Sequence, residues 1–259
     1  MYNILRSSVS ICMATYNGEQ FIEAQLNSIL KQLVDSDEII IFDDASSDRT
    51  VGIILSYNSD RIKLFHNKTN LGYIKTFEKA IAKSKNSVIF LSDQDDIWIE
   101  GRLNKMYAAL CQSNKNLLLC SNFQTFTDSG KNISRFKTRL CHFSPEKYKS
   151  NILGIFKGKM AYFGCTMAFK SEYKKLILPF PDYIDAHDLW IAMLGNVMGN
   201  IIHLEDNTLL HRIHSNNTSF VKRNFRKKIF TRFLFFKSLI EAVKRKYFIN
   251  KNYYNEKRS

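Results

Sequence analysis

Over roughly its first 110 residues the chain alternates between two hydrophobic periods, and that alternation narrows the folds open to it more than any other feature. Val9, Ile11 and Met13 recur at every second position, as in a strand. Ile22, Leu26, Ile29, Leu30 and Leu33 then follow helical spacing, and Glu38 to Phe42 form a second, nearly continuous apolar strand. Ile62 to Phe65 and Val88 to Leu91 read as further strands. Val51, Ile54 and Leu55 fit one intervening helix, Ile74, Phe77 and Ile81 another, and Leu103, Met106 and Leu110 follow the last strand. Strands and helices in strict turn are the mark of βαβ units wound about a parallel sheet. The predicted class is therefore α/β, with a mostly parallel sheet flanked by helices.

Beyond Lys115 the alternation breaks down. Leu117 to Cys120 and Cys165 to Phe169 look like strands, and Asp128-Ser129-Gly130-Lys131 looks like a turn. A helix is expected over His187 to Val197, with strands at Ile201 to Leu204 and Thr208 to Arg212. This mixed half is expected to complete the same sheet. With 259 residues, 45% of them apolar, the chain can bury a full core as one large domain or one domain with an appendage.

Charge locates the appendage. The net charge is +14, yet from Phe220 onward 13 Lys or Arg stand against only Glu241 and Glu256, so about +11 of it lies in the tail. Residues 1–219 form the expected catalytic domain and residues 220–259 a basic helical tail. Five cysteines, Cys12, Cys111, Cys120, Cys141 and Cys165, form an odd set without a CxxC pair, which fits buried thiols in a reducing compartment. No secretory signal and no run of about 18 apolar residues is present, so a cytoplasmic protein that does not span a bilayer is expected.

Ligands of open α/β sheets bind beyond the carboxyl ends of the strands. Three polar loops occupy that position: Ala14-Thr15-Tyr16-Asn17-Gly18, Asp43-Asp44-Ala45-Ser46-Ser47-Asp48, and Ser92-Asp93-Gln94-Asp95-Asp96. Asp93, Asp95 and Asp96 set three carboxylates within four positions, a repulsive arrangement that a divalent cation relieves. Oxygen ligands suit Mg²⁺ or Mn²⁺, which retain phosphate oxygens of a substrate in their shell. The plain alternative is a solvated acidic turn that caps the helix beginning near Ile99. Asp44 and Tyr16 suit a nucleoside, the carboxylate accepting from the base or ribose and the ring covering the base. Capping explains Ser47 or Asp48 but not Asp43 and Asp44, which sit at the strand end.

Taken together these loops resemble glycosyltransferase family 2 proteins of the GT-A fold, and Leu91-Ser92-Asp93-Gln94-Asp95-Asp96-Ile97-Trp98 resembles their bacterial rhamnosyltransferase-like branch. Thr15-Tyr16-Asn17, Asp43-Asp44 with Ser47 and Asp48, Asn70-Leu71-Gly72, and the DxD of Asp93 and Asp95 come in the family's order. The resemblance implies transfer of a sugar from a UDP- or dTDP-linked donor with inversion, assisted by Mn²⁺ or Mg²⁺. It places Ala14, Thr15, Tyr16, Asn17, Asp44, Asn70, Lys75, Asp93 and Gln94 around the donor, and Asp93, Asp95 and His214 at the metal. Thr76 stands where the family often has Asn. Ala186-His187-Asp188-Leu189-Trp190 resembles the family's acidic motif with His187 in place of Glu. Asp188 is then the catalytic base, with Asp185 as competitor and an N-cap as the plain alternative. His211-Arg212-Ile213-His214-Ser215-Asn216-Asn217 resembles a late family segment; His214 is favoured over His211, and Arg212 is an alternative phosphate partner.

In the tail, Phe225, Ile229, Phe233, Phe236, Ile240, Val243 and Tyr247 recur at spacings of three and four, with Arg226, Lys227, Lys228, Arg232, Lys237, Lys244 and Arg245 on other faces. That pattern is expected to lie on the inner face of a bacterial cell membrane, and the family resemblance implies acceptors there that are lipid-linked glycans of surface polysaccharides such as O-antigen or capsule. The alternative partner of the stripe is the protein's own surface or a second subunit in a homodimer. A sugar nucleotidyltransferase is disfavoured, because the first loop carries Tyr16-Asn17-Gly18-Glu19 instead of a glycine-rich cationic loop. Nucleic acid is disfavoured as a partner, since acidic clefts repel phosphates.

Overall fold

A computed structural model describes residues 6–129, 139–141, 146–214 and 225–256. Gly130 and Lys131 of the predicted turn, Ser215 to Asn217 and the expected 219/220 boundary lie outside the described residues. The elements run β1 (Val9–Thr15), α1 (Ile22–Leu30), β2 (Glu38–Asp43), α2 (Thr50–Ser56), β3 (Ile62–His66), α3 (Tyr73–Lys83), β4 (Val88–Ser92), β5 (Ile97–Trp98) and α4 (Arg102–Cys111). They continue with β6 (Leu118–Phe126), α5 (Tyr148–Lys157), a 3-10 turn at Gly164–Thr166, β7 (Met167–Lys170), α6 (Ser171–Ile177), α7 (His187–Met198), β8 (Ile201–Arg212) and α8 (Phe225–Glu256).

The strands form one eight-stranded sheet in the order β3-β2-β1-β4-β7-β6-β8-β5. β3, β2, β1 and β4 are parallel, β7 runs against both β4 and β6, and β8 is parallel to β6. The mixed, mostly parallel sheet of the sequence reading is thus present. Alternation along the strands divides the core: Ile11, Met13, Ile39, Ile41 and Phe90 join one apolar layer, while Cys12, Ile40, Phe42, Ile89 and Leu91 join the other. A sheet buried on both faces explains why β2 and β4 read as continuous apolar runs.

The later half departs from the sequence reading in detail. The two strands expected at Ile201 to Leu204 and Thr208 to Arg212 are one strand, β8. Its pairing with β6 jumps from Ser121↔Leu204 to Asn122↔Asn207, so Glu205 and Asp206 bulge out of the ladder. The Asn122 side-chain amide donates to the Glu205 carbonyl at 3.0 Å and steadies that bulge. The polar triplet Glu205-Asp206-Asn207 therefore interrupts the apolar pattern without ending the strand. The strand expected from Cys165 begins only at Met167, because Gly164–Thr166 closes a 3-10 turn in which the Thr166 hydroxyl donates to the Phe163 carbonyl at 2.8 Å. β5, α5 and α6 are short elements that periodicity does not reveal.

α8 does not stand apart from the domain. Ala242 is fully buried, and Phe235 and Leu239 pack on the core layer that includes α7. Arg245 stacks 4.9 Å over Trp190 and donates to the carbonyls of Leu176 and Pro179, each at 2.8 Å.

Candidate active site

Because β1, β2 and β4 are parallel neighbours, their carboxyl ends deliver the three polar loops to one edge of the sheet. The first two loops are stitched together. Buried Asp43, ending β2, accepts from the Thr15 hydroxyl at 3.0 Å, the Ser46 hydroxyl at 2.6 Å and the Ser46 N–H at 2.9 Å. Asn17, at φ 46°, accepts from the Ser47 N–H at 2.9 Å through its side-chain carbonyl. Ala14 and Thr15 are thereby fixed in the β1 end, whereas Tyr16 stays 47% exposed, its ring open to a ligand.

The third loop is tied to the first by Gln94. Its amide carbonyl accepts from the Tyr16 N–H at 2.9 Å and its amide nitrogen donates to the Tyr16 carbonyl at 3.0 Å. Gly18 leaves room for that amide, since a Cβ there would sit 2.3 Å from Gln94 Oε1. Below, the fully buried Gln25 of α1 donates to the Ser92 hydroxyl at 2.7 Å and to the Asp93 carbonyl at 2.8 Å, fixing the base of the acidic turn. Gln25 escaped the sequence reading, although a polar residue beside Ile22, Leu26 and Ile29 on an apolar helix face is its visible signal.

Asp44 faces inward. One oxygen accepts from Asn67 and from the Leu71 N–H, the other from the Gly72 N–H, all at 2.8 Å. It therefore pins the Asn70-Leu71-Gly72 turn, where Gly72 adopts φ +82°, and its second oxygen keeps capacity for one more donor. The exposed Asn70 accepts from the same Gly72 N–H at 3.1 Å. Lys75 on α3 points to carboxylates, with Nζ 2.6 Å from Asp182 and 3.0 Å from Glu78.

The acidic turn meets the end of β8 through β5. Because Ile97 pairs with Leu210 antiparallel, Asp96 falls opposite His211 and Asp95 opposite Arg212. Asp96 Oδ1 lies 2.8 Å from His211 Nδ1 and accepts from the Arg212 N–H at 3.1 Å, while Arg212 Nε donates to the Asp95 carbonyl at 2.9 Å. His214 Nε2 reaches Asp95 Oδ2 at 2.8 Å, its ring stacked on Phe21 with centroids 4.6 Å apart. The two histidines thus divide the two carboxylates between them. Burial alone would lower His211, but Asp96, followed by Asp93 and Asp95, lifts it to about 9, so it is held as imidazolium.

Ligand oxygens of Asp93, Asp95 and Asp96 lie within 4.8 Å of one another. Removal from water, then the charges of Asp96 and Asp95, holds the Asp93 carboxyl well above the usual carboxylate range. Asp96 Oδ2 is buried and meets no N–H or O–H donor among the described residues. A cluster that repels itself and keeps an oxygen unpartnered fits a hard divalent cation. The sequence presents Asp96 as one of the three carboxylates that a cation relieves, but the resemblance does not make it a metal ligand; its pairing with His211 is decided by β8.

Asp188 begins α7. Burial pushes its carboxyl up to about 6, against the N–H groups of Leu189 and Gly164, and its charge is in turn felt by Asp93. Asp188 therefore lies close enough to the acidic turn for the two charges to interact. His187 beside it is driven by burial to about 3 and stays neutral. Its ring stacks on Phe77 at 4.3 Å, and Gly164 makes room for it, a Cβ there falling 2.6 Å from His187 Nε2. Position 187 thus packs, whereas the charge of position 188 acts on Asp93. Behind this turn a cavity of about 370 Å³ opens between α5, α7 and α8, lined by Asp185, Ala186 and Leu189 and by Phe235 and Ser238 of α8.

A sheet of this order with acidic turns at its carboxyl edge is the architecture of nucleotide-sugar enzymes of the GT-A type, and known proteins agree. The model of the family described as "Glycosyl transferase family 2" matches residues 10–176, well over half the chain, and the chain belongs to that family. It is 35% identical over 106 residues, 41% of this chain and 42% of the relative, to the Escherichia coli UDP-Glc:alpha-D-GlcNAc-diphosphoundecaprenol beta-1,3-glucosyltransferase WfgD. It is 27% identical over 219 residues to the putative glycosyltransferase EpsH of Bacillus subtilis, covering 83% of this chain and 58% of that one. Similarity to the dTDP-rhamnosyl transferase RfbG of Shigella flexneri is 28% over 232 residues, 83% of this chain and 76% of the relative. The chain thus spans less than two thirds of the length of the first two. Among solved structures, S. aureus TarS 1-349 in complex with UDP-GlcNAc superposes with a TM-score of 0.65 at 21% identity, over 83% of this chain and 62% of that one, a likeness of fold.

Proposed function

We propose that the protein transfers a sugar, with inversion and with help from a divalent cation, from a UDP- or dTDP-linked donor to a hydroxyl of a lipid-linked glycan acceptor in surface polysaccharide biosynthesis. The observation that carries this reading is the nearness of Asp188 to the Asp93–Asp96 turn, close enough for its charge to raise Asp93, which sets a separate carboxylate beside a candidate metal cluster. Donor chemistry is supported by relatives whose names specify UDP-glucose and dTDP-rhamnose and by the UDP-GlcNAc bound to the TarS fold. The lipid-linked acceptor is supported by the diphosphoundecaprenol in the name of WfgD.

In this reading the exposed Tyr16 ring covers the nucleobase, Asp44 accepts from the nucleoside through its spare capacity, and Gln94 holds both loops in register. Asp93 and Asp95 would hold the cation, with Asp96 completing the cluster and His214, 2.8 Å from Asp95, orienting it. When bound, Mg²⁺ or Mn²⁺ supplies neutralisation of the charge that gathers on the leaving diphosphate. Asp188 accepts the proton of the acceptor hydroxyl as that oxygen attacks the anomeric carbon from the face opposite the diphosphate. Its raised pKa brings its basicity nearer to neutral pH, where a carboxylate takes a proton more readily. Lys75 joins the diphosphate only by leaving Asp182, a 2.6 Å contact at an exposed position.

The test is a panel of UDP- and dTDP-sugars with Mn²⁺ or Mg²⁺, scored by thermal protection and by transfer to a lipid diphosphate sugar. Protection that requires both donor and metal, lost in Asp95→Ala, is expected, as is loss of transfer in Asp188→Asn with the fold retained. Undiminished turnover in both variants would overturn the assignment.

A further inference from the structure

The α8 helix carries two apolar faces, one buried against the core and the other mostly exposed, touching the domain at Phe236, whose ring meets Phe156 at 5.5 Å. Phe235, Ser238, Leu239 and Ala242 turn inward against α7 and the core. On the opposite side Ile229, Phe230, Phe233, Phe236, Ile240, Val243, Tyr247 and Phe248 are each between 52% and 66% exposed. By helical periodicity Ile229, Phe233, Phe236, Ile240, Val243 and Tyr247 fall on one stripe. Eight large apolar side chains exposed on one helix is far more than scattered surface hydrophobes, and a contiguous patch of this kind marks an interaction surface.

The edges of the stripe are cationic. Arg232 flanks it on one side and Lys237 and Lys244 on the other, and the only carboxylate between residues 229 and 248 is Glu241, taken by Arg245 at 3.0 Å. The aliphatic stems of Lys237 and Lys244 can lie along the stripe while their ammonium groups reach outward, as interfacial lysines do. Lys237 Nζ already sits 5.8 Å from the Phe233 ring centroid within that border. An apolar centre between cationic rims describes a helix that can lie in a membrane interface; no helix among the described residues is long and apolar enough to cross a membrane.

We infer that the outer face of α8 docks flat on an anionic lipid bilayer, and that this docking stations the Asp185–Asp188 turn beside the headgroups. The inner face of the same helix lines the cavity that contains Asp185 and Ala186. Lipid and cavity are therefore separated by one helix thickness, about 10 Å. The lipid-linked acceptor of the proposed function reaches the crevice along this face, so the station it provides rests on that reading, whereas the docking itself does not. A second copy of the chain satisfies the apolar stripe less well, because two such faces would bring their cationic rims together.

The test uses the full chain and vesicles, with neither donor nor metal. Binding to vesicles of phosphatidylcholine with 40% phosphatidylglycerol is expected, at least tenfold stronger than to phosphatidylcholine alone and weakened by salt. Phe233→Ser combined with Ile240→Ser and Tyr247→Ser should lower it at least tenfold, and Lys237→Glu with Lys244→Glu should do the same while leaving neutral vesicles unaffected. Melting temperatures near wild type are expected in both, since none of these side chains is buried. Wild-type binding by either combined variant overturns the inference, as does a wild-type dimer in light scattering that the serine variant dissociates without any vesicle binding in either form. Loss of sugar transfer to a lipid acceptor in solution bears on the enzymatic reading alone, because vesicle binding is measured without it.

Discussion

The side-chain amide of Gln94 grips both backbone polar groups of Tyr16, accepting from its N–H at 2.9 Å and donating to its carbonyl at 3.0 Å. The two residues lie 78 positions apart, and the contact couples the candidate metal turn to the candidate nucleoside loop. Replacing Gln94 with Ala removes two hydrogen bonds at an exposed site, worth about 1 kcal/mol each. The expected result is a donor KM raised about five- to thirtyfold with a melting temperature within a few degrees of wild type. Gly18→Ala should mimic it, since the new methyl group displaces the same amide.

Asp188 sets an acid limb. Burial raises its carboxyl to about 6, so it is protonated below that pH and loses its capacity to accept a proton. Transfer is expected to fall about tenfold for each unit of pH below that limb, and a bound cation nearby moves the limb to lower pH. Asp188→Asn should cost about 10²- to 10⁴-fold in kcat. Because the folded pKa lies above the unfolded value, this carboxyl's contribution to stability is greatest below the unfolded pKa and is lost as pH rises through about 6. Asp188→Asn should thus be at least as stable as wild type above that pH, as denaturant titration will show.

The acidic cluster predicts opposite effects with and without metal. In a chelator, Asp93→Asn relieves repulsion from Asp95 and Asp96 and should melt higher than wild type. With Mn²⁺ at a hundred times its dissociation constant the wild type gains about 2.7 kcal/mol, and the variant should gain much less. Differential scanning calorimetry of the two proteins in both buffers checks the crossing.

Asp44 separates a structural from a ligand role. Three donors converge on its carboxylate, and Asn in its place would oppose one N–H with its own NH₂. Asp44→Asn should destabilise the fold by about 1 to 3 kcal/mol through the Leu71-Gly72 turn. If the nucleoside also uses this group, UDP or dTDP affinity measured on the folded variant falls as well, and stability alone falls if it does not.

Periodicity along the chain was enough for the first half of the fold. Alternating residues of β1, β2 and β4 go to opposite core layers, so burial on both faces wrote itself into the sequence as apolar strands separated by amphipathic helices. The later half was less legible. Glu205 and Asp206 broke a pattern that the β8 bulge tolerates, and β5, with two residues, is too short to have a period. The acidic turn and the candidate nucleoside loop drew notice in the sequence because capping does not account for all of the polar residues at those strand ends, and Asp188 did so through the family resemblance.

What no linear reading supplied were the pairings across long separations. Sequence proposed one histidine for the acidic turn; the antiparallel register of β5 on β8 gives Asp96 to His211, and the segment just past β8 brings His214 to Asp95. It placed His187 and Asp188 side by side, but only the packing of α7 against Phe77 makes the first a neutral filler, and only the tertiary fold brings the second near enough to Asp93 for their charges to interact. The stripe on α8 was periodic in the sequence, yet which of its faces is spent on the core depended on where α7 lies. Local pattern fixes which side a residue presents along its own element, because that follows from bond geometry. What it meets there is decided by the chain segments that fold against it.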